Sequence, residues 1–119
     1  MTRILITGSR DWDDKRTIAL AMLEAAENAS DKIIVIHGAC PTGADEMAGD
    51  FAEFMNWGIE EYPADWTKHG RAAGPIRNQE MVNLGADICL AFPLGESRGT
   101  RHCMKAAEKA GIEVINYGD

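Results

Sequence analysis

The chain has 119 residues and a mass of 13.0 kDa, the size of one ordinary domain. With 45% apolar and 26% charged residues, it is neither a disordered tail nor a collagen-like chain. Its formal net charge of −7 argues against a general nucleic-acid coat.

No apolar run approaches the ~20 residues needed to span a bilayer, and residues 1–10 carry no long apolar leader. A soluble, cytoplasmic protein without membrane contact is the expectation. The three cysteines, Cys40, Cys89 and Cys103, form no C-x-x-C pair, so neither a zinc nor a disulfide framework is expected. The charge is unevenly spread. Residues 1–65 hold 5 basic and 13 acidic groups, whereas residues 66–109 hold 7 and 4. A locally basic stretch in an acidic chain suits a small anion better than a duplex.

Arg3-Ile4-Leu5-Ile6-Thr7 reads as a first strand ending at Gly8. Asp13 or Asp14 can cap a helix over 15–28, with Ile18, Met22 and Ala25 on one face. Residues 32–37 form a second strand, apolar on both faces and closed by Gly38. A helix over 43–57 follows, its Ala44, Met47, Ala48, Phe51, Ala52 and Met55 recurring at helical spacing. Residues 59–62 read as a third strand, and 63–74 as one long loop, a length usually functional or mobile. Pro75 suits the first turn of a helix running to about Leu84. A fourth strand covers 87–92, a turn 93–99, and a helix 100–110 with Cys103, Ala107 and Ala110 inward. Residues 112–115 complete the set.

Five apolar strands alternating with four helices imply an α/β chain: a single three-layer Rossmann-like domain over 1–119 with a five-stranded parallel sheet. Right-handed crossovers from a central first strand give the order 3-2-1-4-5. The topological switch then falls between strands 1 and 4, and ligands of such sheets bind beyond the carboxyl ends there.

Four loops converge at that edge: Gly8-Ser9-Arg10, Gly38 to Asp45, residues 63–78, and Pro93 to Thr100. Three are glycine-bearing turns leading to helix N-termini, where free N–H groups and the helix dipole favour an anion. Gly8, Gly38, Gly43, Gly95 and Gly99 permit close backbone approach, while Ser9, Thr42 and Thr100 add hydroxyls. Arg10, Arg71, Arg77, Arg98 and Arg101 are the residue type best matched to bidentate phosphate contact. Standard nucleotide motifs are missing. Gly38 to Gly43 has the Walker spacing, but Ala44-Asp45 stands in place of Lys-Ser/Thr, and no G-x-G-x-x-G follows the first strand. His37, His69 and His102 are too scattered for a shared metal site, and His37 reads as a structural histidine. No cofactor is expected.

The segments Gly8-Ser9-Arg10, His37 to Asp45, Pro63-Ala64-Asp65-Trp66, His69 to Asn78, and Phe92-Pro93 to Gly99-Thr100 together resemble the YspA/YpsA-related branch of the SLOG superfamily. The resemblance implies a Rossmann-like domain for nucleotides or nucleotide-derived ligands. It also brings two relatives into view, the LOG phosphoribohydrolases and the DNA-processing protein DprA. Against the LOG pattern, Arg77 matches the arginine and Gly99-Thr100 the last turn, but Cys103 stands where the glutamate belongs. Splitting an N-glycosidic bond calls for a carboxylate, so no catalytic residue is assigned. Asp45, Asp65 and Glu96 are other carboxylates on these loops, and a helix-capping role is favoured for Asp45.

The resulting expectation is a sensor or binding module for a nucleotide-like small molecule. Phosphate would be met by the glycine turns, Ser9, Thr42 and Thr100. Arg77 would neutralise it with help from Arg10 or Arg71, and Asn78 would reach a sugar or base edge. Trp12 and Trp66 are expected at the same edge, where a base stacked on an indole gains about 1–3 kcal/mol. A phosphoribohydrolase is the alternative. A DprA-like single-stranded DNA binder comes third, disfavoured by the net charge, and a homodimer is open.

Overall fold

The computed structural model describes residues 1–29 and 31–119. Five strands, β1 (Thr2–Gly8), β2 (Ile33–His37), β3 (Gly58–Glu61), β4 (Ile88–Phe92) and β5 (Glu113–Asn116), form one parallel sheet. Its order is β3-β2-β1-β4-β5, as the alternation of elements predicts. Between the strands run α1 (Lys15–Ala26), α2 (Gly43–Phe54), α3 (Trp66–His69), α4 (Ala73–Leu84) and α5 (Arg98–Lys109).

The central strand explains the layering. Ile4, Leu5 and Ile6 are fully buried, because a parallel strand between two helical layers has no wet face. Ile4 and Ile6 join Val35, Leu90 and Phe92 beneath Ile18 and Met22 of α1 and Ala44, Ala48 and Ala52 of α2. Leu5 faces the opposite way, packing with Ile36 and Cys89 against Met81 and Val82 of α4 and Cys103 and Ala107 of α5. The alanines of α2, four residues apart, let that helix lie close to the sheet. A Cβ at Gly8 would collide with the side chain of Ala44, so β1 needs its terminal glycine. Asp14 is the residue that caps α1, its carboxylate accepting from Thr17 N–H at 3.0 Å. No helix among the described residues is long and apolar enough to cross a membrane.

Three expectations require correction. Ala110 is exposed rather than inward, because α5 ends at Lys109 and the chain turns away there. Residues 63–74 are not an open loop, since α3, a 3₁₀ turn (Gly70–Ala72) and the start of α4 at Ala73 occupy most of the stretch. Asp65 caps α3 by accepting from Lys68 N–H at 3.0 Å. Trp12 presents no open ring face at the carboxyl edge. It is buried, edge-on to Phe92 with ring centroids 5.3 Å apart, and its indole N–H donates to Asp14 C=O at 3.0 Å.

Candidate functional site

A cavity of about 330 Å³ opens at the carboxyl end of the sheet, between β1 and β4. This is the switch point, where the connections from two neighbouring strands leave for opposite layers and a cleft remains between them. The β1 loop contributes Gly8, Ser9, Arg10 and Asp11, and β2 leads into Gly38, Cys40 and Asp45. Arg77, Asn78 and Met81 of α4 form another wall. The turn after β4 supplies Leu94, Ser97, Arg98, Gly99 and Thr100.

The loops are fixed by backbone contacts. Ser9 N–H donates to Phe92 C=O at 3.0 Å, and Ser9 C=O accepts from Ala44 N–H at 3.1 Å. The second contact occupies the first turn of α2 with protein. It also explains Gly43, whose φ of +76° and tight approach to Ser9 and Arg10 exclude a side chain. Thr42 Oγ1 donates to Arg10 C=O at 2.9 Å. Thr42 and Gly43 therefore hold the loops together from outside the cavity lining.

The N-terminus of α5 is different. Ser97 precedes it at φ +41° and does not cap it, its hydroxyl donating instead to Thr100 Oγ1 at 2.8 Å. First-turn N–H groups lack intrahelical acceptors, so this end of α5 presents donors beside Arg98 on the cavity wall.

Arg77 is engaged by the protein on three sides. Its Nη1 donates to Gly38 C=O at 2.6 Å and to Tyr62 C=O at 3.3 Å, and its Nε donates to Asn78 Oδ1 at 2.9 Å. A Cβ at Gly38 would occupy the guanidinium's place. The Asn78 amide in turn donates to Gly99 C=O at 3.1 Å, binding α4 to the start of α5. Asn78 is thus committed internally at both ends of its amide.

Asp45 is only 7% exposed and lines the cavity. It does not cap its own helix, contrary to expectation. Its Oδ2 accepts from Cys40 N–H at 3.3 Å, because Asp45 is the third residue of α2 and the chain before that helix folds back over it. Burial pushes its carboxyl above the ordinary carboxylate range, opposed by His37, Cys40 N–H, Arg77 and Gly38 N–H. His37 is a buried structural histidine, its Nδ1 accepting from Ala39 N–H at 3.0 Å.

Cys103 is fully buried beneath the floor, its thiol pushed up to about 11 by burial, with a hydrogen bond to Thr7 and the charge of Arg77 opposing. A thiol in that state supplies no base for water.

Gly95, Arg71 and Trp66 lie outside the lining. Gly95 C=O and Glu96 C=O accept from Arg101 at 2.8 and 3.0 Å, so Arg101 braces the turn. Trp66 is 56% exposed, its ring edge 3.4 Å from where a Cβ on Gly74 would sit. Thr7, Asp11, Cys40 and Met81 line the cavity without having been singled out from sequence. Thr7 carried a usable signal, being a polar residue at the carboxyl end of an otherwise apolar central strand. Among the described residues, no group of three or more His, Cys, Asp or Glu side chains is placed to hold a metal.

The model of the YspA, cpYpsA-related SLOG family matches residues 2–69, from β1 through α3. The chain is also similar to the gene 61 protein of Mycobacterium phage D29, 50% identical over 124 aligned positions that cover 100% of this chain and 98% of that protein. Sheet order, glycine turns and sequence similarity agree: the chain belongs to the YspA, cpYpsA-related SLOG family.

Proposed function

We propose that this protein binds a nucleotide or nucleotide-derived ligand in the cavity at the switch point, as a sensor or binding module. The observation that carries the reading is the uncapped start of α5 on the wall of a 330 Å³ cavity that Arg10, Arg77 and Arg98 also line. Helix N–H donors and guanidinium groups both favour a phosphate. The volume is at the small end for ligand sites, which favours a mononucleotide over a dinucleotide. Single-stranded nucleic acid is the weaker reading, since Trp12 is spent in the core and the chain carries −7.

Thermal shift with nucleoside mono-, di- and triphosphates tests the proposal. Ligand at a hundredfold excess over Kd stabilises by about 2.7 kcal/mol, so a binding compound raises Tm by several degrees. A panel that leaves Tm unchanged for every nucleotide overturns it.

A phosphoribohydrolase reading draws support from Asp45, a carboxylate in the cavity wall. Release of free base from a nucleoside monophosphate, lost in Asp45→Asn, would establish turnover and replace the binding-module reading.

A further inference from the structure

We propose that Asp45 makes this a ribose-reading site, one that selects ligands carrying free 2′ and 3′ hydroxyls over their deoxy counterparts. The inference rests on the nucleotide site proposed above and assigns its substrate class.

The cavity has two chemically distinct ends. At one, the start of α5 and Arg98 favour an anion. At the other stands the Asp45 carboxyl, whose oxygens are hydrogen-bond acceptors. An ionised carboxylate is acceptor-only, with roughly four lone-pair sites, and the side-chain hydrogen bond held by Oδ2 is a long one, 3.3 Å from Cys40 N. What Asp45 can take from a ligand is therefore hydrogen-bond donors. A free cation is a poor candidate, because Arg77 and Arg10 share the wall. Neutral hydroxyls meet both conditions.

Spacing then separates a sugar from a base. Asp45 follows β2 and the α5 turn follows β4, with β1 between them. Two strand spacings put the ends of β2 and β4, from which those segments leave, about 9–10 Å apart. A ribose 5-phosphate with one hydrogen bond at each end is of comparable length. The base edge lies farther from the phosphate than the sugar hydroxyls do, so a base edge would overshoot Asp45 where the sugar hydroxyls meet it. The acidic residue that grips ribose hydroxyls in dinucleotide folds works by the same chemistry. Here it stands on a helix first turn after the second strand.

Calorimetric titration of the wild type with AMP, GMP, CMP and UMP, and with the 2′,3′-dideoxy form of whichever binds best, tests the inference. The expected result is at least a tenfold weaker Kd for the dideoxy compound. In Asp45→Ala that ratio should shrink below threefold, with Asp45→Asn in between. A residue that only supported the fold would weaken both ligands equally and leave the ratio intact. Ribo and dideoxy forms within twofold in the wild type overturn the ribose reading while leaving the nucleotide site standing. Failure of all four monophosphates, together with every di- and triphosphate of the thermal-shift panel, to bind overturns both. The wild-type comparison decides even where a variant is poorly folded by circular dichroism.

Discussion

Arg77 joins three segments through one planar group, accepting no substitute that lacks its fork. A guanidinium can reach Gly38 C=O, Tyr62 C=O and Asn78 Oδ1 together, whereas a lysine ammonium cannot match that geometry. Arg77→Ala should therefore cost stability as well as ligand. Its charge-assisted bonds are worth about 1.5–3 kcal/mol, read as a lower urea midpoint without ligand, and Arg77→Lys should recover little of it. Gly38→Ala should reproduce part of the ligand defect, because the new methyl claims the guanidinium's position. Asp45 behaves oppositely. Its folded pKa is raised by burial, so the folded chain binds its proton more tightly than the unfolded chain does. Stability then falls as pH rises through the window between the unfolded and folded values. Asp45→Asn should melt higher than wild type as pH rises above the ordinary carboxylate range, the advantage fading as pH drops back into it. An Asp45→Asn protein that melts lower at pH 7 would contradict this. Residue types and glycine turns made the location of the cavity legible in sequence. Direction was not legible: nothing in the spacing distinguishes Arg98, on the cavity wall, from Arg101, which braces the turn from outside.

Among the elements, α3 was the hardest to foresee. Trp66–His69 is one turn long and buries none of its residues, so it leaves no apolar periodicity, the main sign by which helices are read. Its start is set by Asp65, a cap that costs about 0.5–2 kcal/mol to remove. Because the turn contributes little to either core cluster, Asp65→Ala should leave the global urea midpoint nearly unchanged. Limited proteolysis should instead show faster cleavage within residues 63–72. The other elements were legible because each carries a burial pattern of its own. The alanine repeat of α2 and the unbroken apolar run of β1 both answer to a face that must be covered.

Across the whole molecule, the sheet is tied laterally by a part-buried ion pair. Arg3 on β1 reaches over β2 to Glu60 on β3, with both guanidinium nitrogens 3.0 Å from carboxylate oxygens. Tyr62 Oη donates to the same carboxylate at 2.8 Å. The Arg3 and Tyr62 hydrogen bonds hold the Glu60 carboxyl below its usual range. A depressed folded pKa means stabilisation present above the unfolded value and lost as pH falls through the folded one. Glu60→Gln should thus destabilise at pH 7, and the gap to wild type should close in acid. A gap that persists unchanged at pH 3 would assign the effect to packing.

The cavity lies on the seam between the two helical layers. One side of the seam is knitted by Ser9 to Ala44 and Thr42 to Arg10, the other by Asn78 to Gly99. A molecule held by Asp45 and the start of α5 at once would act as a rivet between layers that meet there across open space. Amide hydrogen exchange would register it as one event in two places. Protection should rise together at Cys40 and at Arg98–Thr100, and a ligand gripping only one end should slow only its own side.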